Sequence, residues 1–145
     1  MKTALNPLKT AMRSCAALLT AGVLSTNVFA QEAPATVPTS FTGTYDLTYA
    51  NAQTGSPLTN GTAVSVVIAP GGLICLGGYT LTDPVTRNGN AHEAIWVEST
   101  GGIEIALSSL VNGFNEINVG STSGTWYGQL KGSKISTATT GCGAN

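Results

Sequence analysis

The clearest pattern in the chain runs from 41 to 49, where Phe41, Gly43, Tyr45, Leu47 and Tyr49 alternate with Thr42, Thr44, Asp46 and Thr48. A period of two marks a strand with one face buried. Tyr45 and Leu47 are therefore predicted to share a core, with the hydroxyl-bearing set facing solvent. Residues 51–61 carry turn chemistry, including Gly55-Ser56-Pro57 and Asn60-Gly61. The apolar runs 62–69 and 73–78 then flank Pro70-Gly71-Gly72, a hairpin signature with β-branched residues on its arms. A three-residue loop puts Val64, Val66 and Ile68 on the face of Ile74 and Leu76. It leaves Cys75 opposite Val67 on the other face.

A second hairpin of the same form joins 92–99 to 103–107 through Thr100-Gly101-Gly102. Its second arm has a competing reading, because Ile103, Ala106, Leu107, Leu110 and Val111 also fit one stripe of a short helix over 103–112, ending at Asn112-Gly113. Strands are predicted again over 114–119, with Ile117 and Val119 on one face, and over 124–131, with Trp126 and Leu130 inward. About seven short strands with glycine-rich turns imply an all-β domain, a small antiparallel β-barrel or β-sandwich built from hairpins.

The segment before this pattern reads differently. Lys2, Lys9 and Arg13 precede a short apolar run beginning at Cys15, and Val28-Phe29-Ala30 supplies small residues at the first and third positions before a cut. Residues 1–30 are accordingly expected to be a cleaved signal peptide, which implies secretion or export to a periplasm. Residues 31–40 contain Pro34 and Pro38 and no periodicity, and read as an extended leader. The β-domain is placed at 41–131, with a Ser/Thr/Gly-rich tail at 132–145.

Charge and cysteine usage narrow the picture. Six Lys plus Arg against seven Asp plus Glu leave a net charge of −1 in 145 residues, with no basic stripe, so binding to nucleic acid through its phosphates is excluded. No apolar run beyond residue 30 is long enough to span a bilayer as a helix, so no membrane insertion of the mature chain is expected. Of the three cysteines, loss of Cys15 with the signal leaves Cys75 and Cys142, an even pair in an oxidising compartment. They are expected to form a disulfide that ties the tail to the body.

Several chemistries are absent from the residue list. His92 is the single histidine, and no Cys/His group has metal-ligand spacing, so neither a zinc site nor any other metal or cofactor is expected. There is no Gly-x-Ser-x-Gly elbow and no phosphate-cradling loop. Carboxylates remain: a three-residue loop in the second hairpin sets Glu98 opposite Glu104, and Trp96 opposite Ala106 on the same face. His92, Trp96, Glu98 and Glu104 are thus the candidate ligand-binding residues, an aromatic plane beside an imidazole and two acids. Trp96 is a stacking platform if exposed and core if buried, while Trp126, with Leu130 beyond it, reads as core.

The segment Gly124-Thr125-Trp126-Tyr127-Gly128-Gln129-Leu130 resembles the opening strand of the avidin and streptavidin family of biotin-binding barrels. It covers seven residues of 145. It stands near the C-terminal end rather than at the start, and has Gly128 where that family has a polar ligand contact, so no residue role is carried over. The expected function is a non-catalytic secreted or periplasmic β-domain that binds a glycan or small apolar ligand, or serves a surface or matrix role. The alternative is a small carboxylate-dependent hydrolase acting on a glycan, with Glu98 and Glu104 as its acids.

Overall fold

The strand predicted most firmly forms as expected. In a computed structural model describing residues 32–111 and 113–142, strand β2 (Gly43–Ala50) buries Tyr45, Leu47 and Tyr49 and exposes Asp46 and Thr48. The expected signal peptide at 1–30 lies outside the described residues. Around β2 the chain adds β1 (Glu32–Pro34), β3 (Ala63–Ala69), β4 (Leu73–Leu76), β5 (Tyr79–Leu81) and β6 (Val85–Arg87). Then follow β7 (Ala94–Glu98), β8 (Ile103–Leu107), β9 (Glu116–Ser121) and β10 (Trp126–Ser136). These ten make one open antiparallel sheet in the order β1-β6-β7-β8-β9-β10-β2-β3-β4-β5.

The count exceeds the expected seven because β1, β5 and β6 are three residues each, too short to show a period. The segment read as a leader supplies β1, which pairs with β6, and a 3-10 turn at Thr39–Phe41. Residues 132–136, read as the start of the tail, continue β10 along β2. The helical reading of 103–112 is overturned: 103–107 is strand β8, paired on both sides by β7 and β9. Two complete ladders outweigh the weak propensity of so short a helix.

The first hairpin keeps its predicted register, with Val67 opposite Cys75 and Ile68 opposite Ile74. Pro70 and Gly71 of its turn are exposed, but Gly72 is buried, with φ +82°, and a side chain there would meet the Pro84 ring at 2.9 Å. The Trp96 indole Nε1 donates to the Gly72 carbonyl at 2.6 Å. Trp96 is on β7 and Gly72 adjoins β4, six strand spacings apart in the sheet order, or roughly 29 Å if the sheet were flat. The sheet is therefore rolled, and its concave face encloses the core.

That core joins Phe41, Tyr45, Leu47 and Tyr49 to Val66, Ile68, Ile74, Trp96, Leu107, Ile117 and Leu130, drawing side chains from β2–β5 and β7–β10 into one cluster. Its polar atoms have partners: the Tyr45 hydroxyl donates to the Phe41 carbonyl at 2.6 Å, and the Tyr49 hydroxyl meets Ser56 Oγ at 2.9 Å. Over β2 and β3 the convex face is polar, as the outward residues Thr44, Asp46, Thr48 and Ser65 show. Cys75 and Cys142 form the expected disulfide, with Cα atoms 5.5 Å apart.

Candidate functional site

The four residues expected to share one face do not come together. The loop between β7 and β8 has four residues rather than three, so Glu98 pairs with Ile103, Val97 with Glu104 and Trp96 with Ile105. A one-residue slip sends every side chain of an arm to the other face. Glu98 consequently stays on the concave side with Trp96, while Glu104 turns to the convex side. The extra loop residue has a local cause: the Glu98 carboxylate accepts the Thr100 N–H at 3.0 Å and the Gly101 N–H, closing the turn around its own side chain.

Trp96 is completely buried and forms the centre of the core. His92 is exposed in the turn before β7, where its N–H is donated to Asn90 Oδ1 and its carbonyl accepts the Leu110 N–H. Glu104 is engaged by Arg87, whose Nη1 donates to Oε2 at 3.0 Å and whose Nη2 donates to Oε1. Arg87 Nε also lies 3.5 Å from Glu32, so this guanidinium joins β1, β6 and β8 across the outside of β7. The carboxylates raise the already high pKa of Arg87. The Glu98–Glu104 acid pair on which the hydrolase alternative rested is thus absent. Among the described residues no group of three or more His, Cys, Asp and Glu could hold a metal.

Trp96 takes the buried alternative, whereas Trp126, expected in the core, does not. A bulge between Trp126 and Gly128 breaks the alternation of β10, so Trp126 aligns with Gly120 while Gly128 aligns with Val119. One extra residue reverses the faces on its two sides. Leu130 stays inside, and Trp126 is 42% exposed on the convex face. It borders a shallow depression of about 160 Å³ with Ala106, Asn118 and Gly120.

The feature most suited to receiving a ligand lies on the concave side. Counting antiparallel steps along the sheet, the β2–β3, β4–β5, β7–β8 and β9–β10 connections share one end. At that end Leu58, Val64, Leu76, Leu81 and Ile103 are half-buried around a cleft of about 220 Å³. Ile105, Val119 and Leu130 form its floor, and the exposed Tyr79 and the half-buried Glu98 stand at its edge. Among the described residues no cationic side chain lines it.

Of these, only Glu98 is among the candidate ligand-binding residues of the sequence. A signal was available for part of the remainder: Val64 and Leu76 were already on the inward face of the first hairpin, beyond the ends of its fully buried residues. Leu58 and Leu81 come from a turn and a three-residue strand, where periodicity carries no information. Comparison with protein-family models, with curated proteins and with solved structures finds no match to this chain.

Proposed function

We propose that this is a non-catalytic β-domain that takes a small apolar ligand into the cleft at the open end of its rolled sheet. The observation that carries the reading is the ring of five half-buried aliphatic side chains left at that end, above a floor that belongs to the core. Elsewhere the inward aliphatics are covered; here they converge on open space. A contiguous apolar concavity with a few polar groups at its edge is the usual form of a small-ligand site. Its volume is small, so the ligand is compact or inserts only a chain.

The topology supports the same reading. β5 and β6 run in the same direction, separated only by 82–84, with β5 paired to β4 and β6 to β7. Treated as one interrupted strand, they make the sheet an eight-stranded up-and-down barrel, with β1 added at the join. Eight strands leave an interior that side chains fill or that holds one small ligand. The apolar interior, with convex-face residues that are polar over β2 and β3, is the reverse of a membrane-spanning barrel with a polar lumen, which favours a water-soluble carrier or sensor. The disulfide and the basic–apolar N-terminal pattern favour an oxidising compartment outside the cytoplasm.

The test is titration with the uncharged fluorophore N-phenyl-1-naphthylamine. Saturable enhancement is expected for the parent chain and loss of it for Ile103→Gln, with the thermal midpoint little changed because Ile103 is already half-exposed. Undiminished enhancement in a folded Ile103→Gln protein would place the apolar site elsewhere. A second reading, a glycan subsite on the convex face, is favoured by the exposed ring of Trp126 beside Asn118, since such a ring can stack on a sugar. Quenching of tryptophan emission by an oligosaccharide, abolished in Trp126→Ala, is its signature.

A further inference from the structure

We infer that the cleft selects amphiphiles with a cationic head, because Glu98 places a fixed, uncompensated carboxylate at the edge of an otherwise apolar pocket. This rests on the reading of the cleft as an apolar ligand site and adds the chemistry of the ligand's polar end.

The carboxylate is held in place. Oε1 accepts the Thr100 N–H at 3.0 Å, Oε2 accepts the Gly101 N–H, and a Cβ at Gly101 would come within 2.7 Å of Oε2. The glycine thus permits the close approach that locks the side chain. These two amide donors, Gly101 foremost, hold the Glu98 carboxyl below its ordinary value, so it is ionised at neutral pH. The Thr100 hydroxyl also bonds the carboxylate, and with these three donors engaged its two oxygens still keep lone-pair capacity for a further donor.

No cationic side chain among the described residues balances this charge. Elsewhere among the described residues, Glu104 is bonded by Arg87, and Glu116 receives Gln129 Nε2 and lies 3.9 Å from Lys131. Glu98 has no Lys, Arg or His partner in the described salt bridges, and none lines the cleft. An alkyl chain in the cleft brings its head to this edge. An ammonium there gains Coulomb attraction and donates to a pre-oriented acceptor; a carboxylate meets like charge, with no cationic side chain among the described lining residues to offset it.

The experiment is displacement of N-phenyl-1-naphthylamine from the intact chain at pH 7 and low ionic strength. Decylamine, decanol and decanoate, each below its micellar concentration, differ only in the head. The expected order is decylamine, then decanol, then decanoate, with about tenfold between the first and last. In Glu98→Gln, which keeps an acceptor for the turn, the spread should fall to about twofold, and added salt should narrow it in the parent. Equal displacement by all three, or a spread that survives in Glu98→Gln, overturns the inference while leaving the apolar cleft intact, and reduces Glu98 to a turn cap. No binding of fluorophore or amphiphile overturns the cleft itself and this inference with it.

Discussion

Tyr45 carries a hydroxyl into the core, and its environment shows how a polar atom is accommodated there. The phenol donates to the Phe41 carbonyl, its ring lies against Phe114 with centroids 4.4 Å apart, and Lys134 Nζ stands 5.7 Å from the ring centre. Burial pushes its pKa up from 10.0 to about 12. A raised pKa means that the folded state holds the proton longer than the unfolded state does, so this contribution is intact below pH 10 and is lost as pH rises toward about 12. Urea midpoints measured across this window should fall steeply for the parent and less for Tyr45→Phe; parallel curves would show that Tyr45 does not set the alkaline limit. The tryptophans offer a second contrast at this scale. Trp96→Ala empties the centre of the core and frees the Gly72 carbonyl, costing roughly 3–5 kcal/mol. Trp126→Ala removes a ring already 42% exposed and should cost roughly 1 kcal/mol or less. Equal losses at both sites would contradict the burial of Trp96 and the exposure of Trp126.

At the scale of elements, legibility followed the length of uninterrupted pairing. β2 and the β3–β4 hairpin have enough alternating residues to fix both face and register, and Cys75 was placed opposite Val67 from the pattern alone. The β7–β8 hairpin lost its register to a single loop residue, whose cause is a side-chain-to-backbone bond that periodicity does not encode. β10 lost the orientation of Trp126 to a bulge, although its glycines hinted at irregular backbone. One of them explains how an eleven-residue strand follows a rolled sheet. Gly132 has φ +156°, and a Cβ there would lie 2.2 Å from the Asp46 carbonyl oxygen of β2. Gly132→Ala must therefore push β10 away from β2 as well as strain the backbone, and a loss of at least about 2 kcal/mol is expected. Ser133→Ala, exposed on the same strand, should be close to neutral. Chemical denaturation of both variants decides the matter, and a neutral Gly132→Ala would show that the β10–β2 ladder gives way without cost.

For the whole molecule, the decisive arrangement is that the stabilising covalent link and the candidate cleft lie on opposite sides of the same sheet. After β10 the chain crosses the convex face, where Thr44 Oγ1 of β2 donates to the Ala138 carbonyl at 2.7 Å, and reaches Cys75 on β4 through Cys142. The tail is thus a strap laid across β2 and β3. Cys75 and Cys142 are 67 residues apart in sequence, and closing so long a loop restricts the unfolded chain by about 4 kcal/mol in the chain-entropy description. The cleft side chains face inward and receive none of their support from the strap directly. Replacing both cysteines by serine should therefore lower the denaturation midpoint of the folded protein by an amount of that order. The affinity for N-phenyl-1-naphthylamine, measured well below that midpoint, should stay the same. An unchanged midpoint would mean that the strap adds nothing to stability. A lost affinity in a protein that remains folded would mean that the strap holds the curvature of the sheet, and with it the width of the cleft.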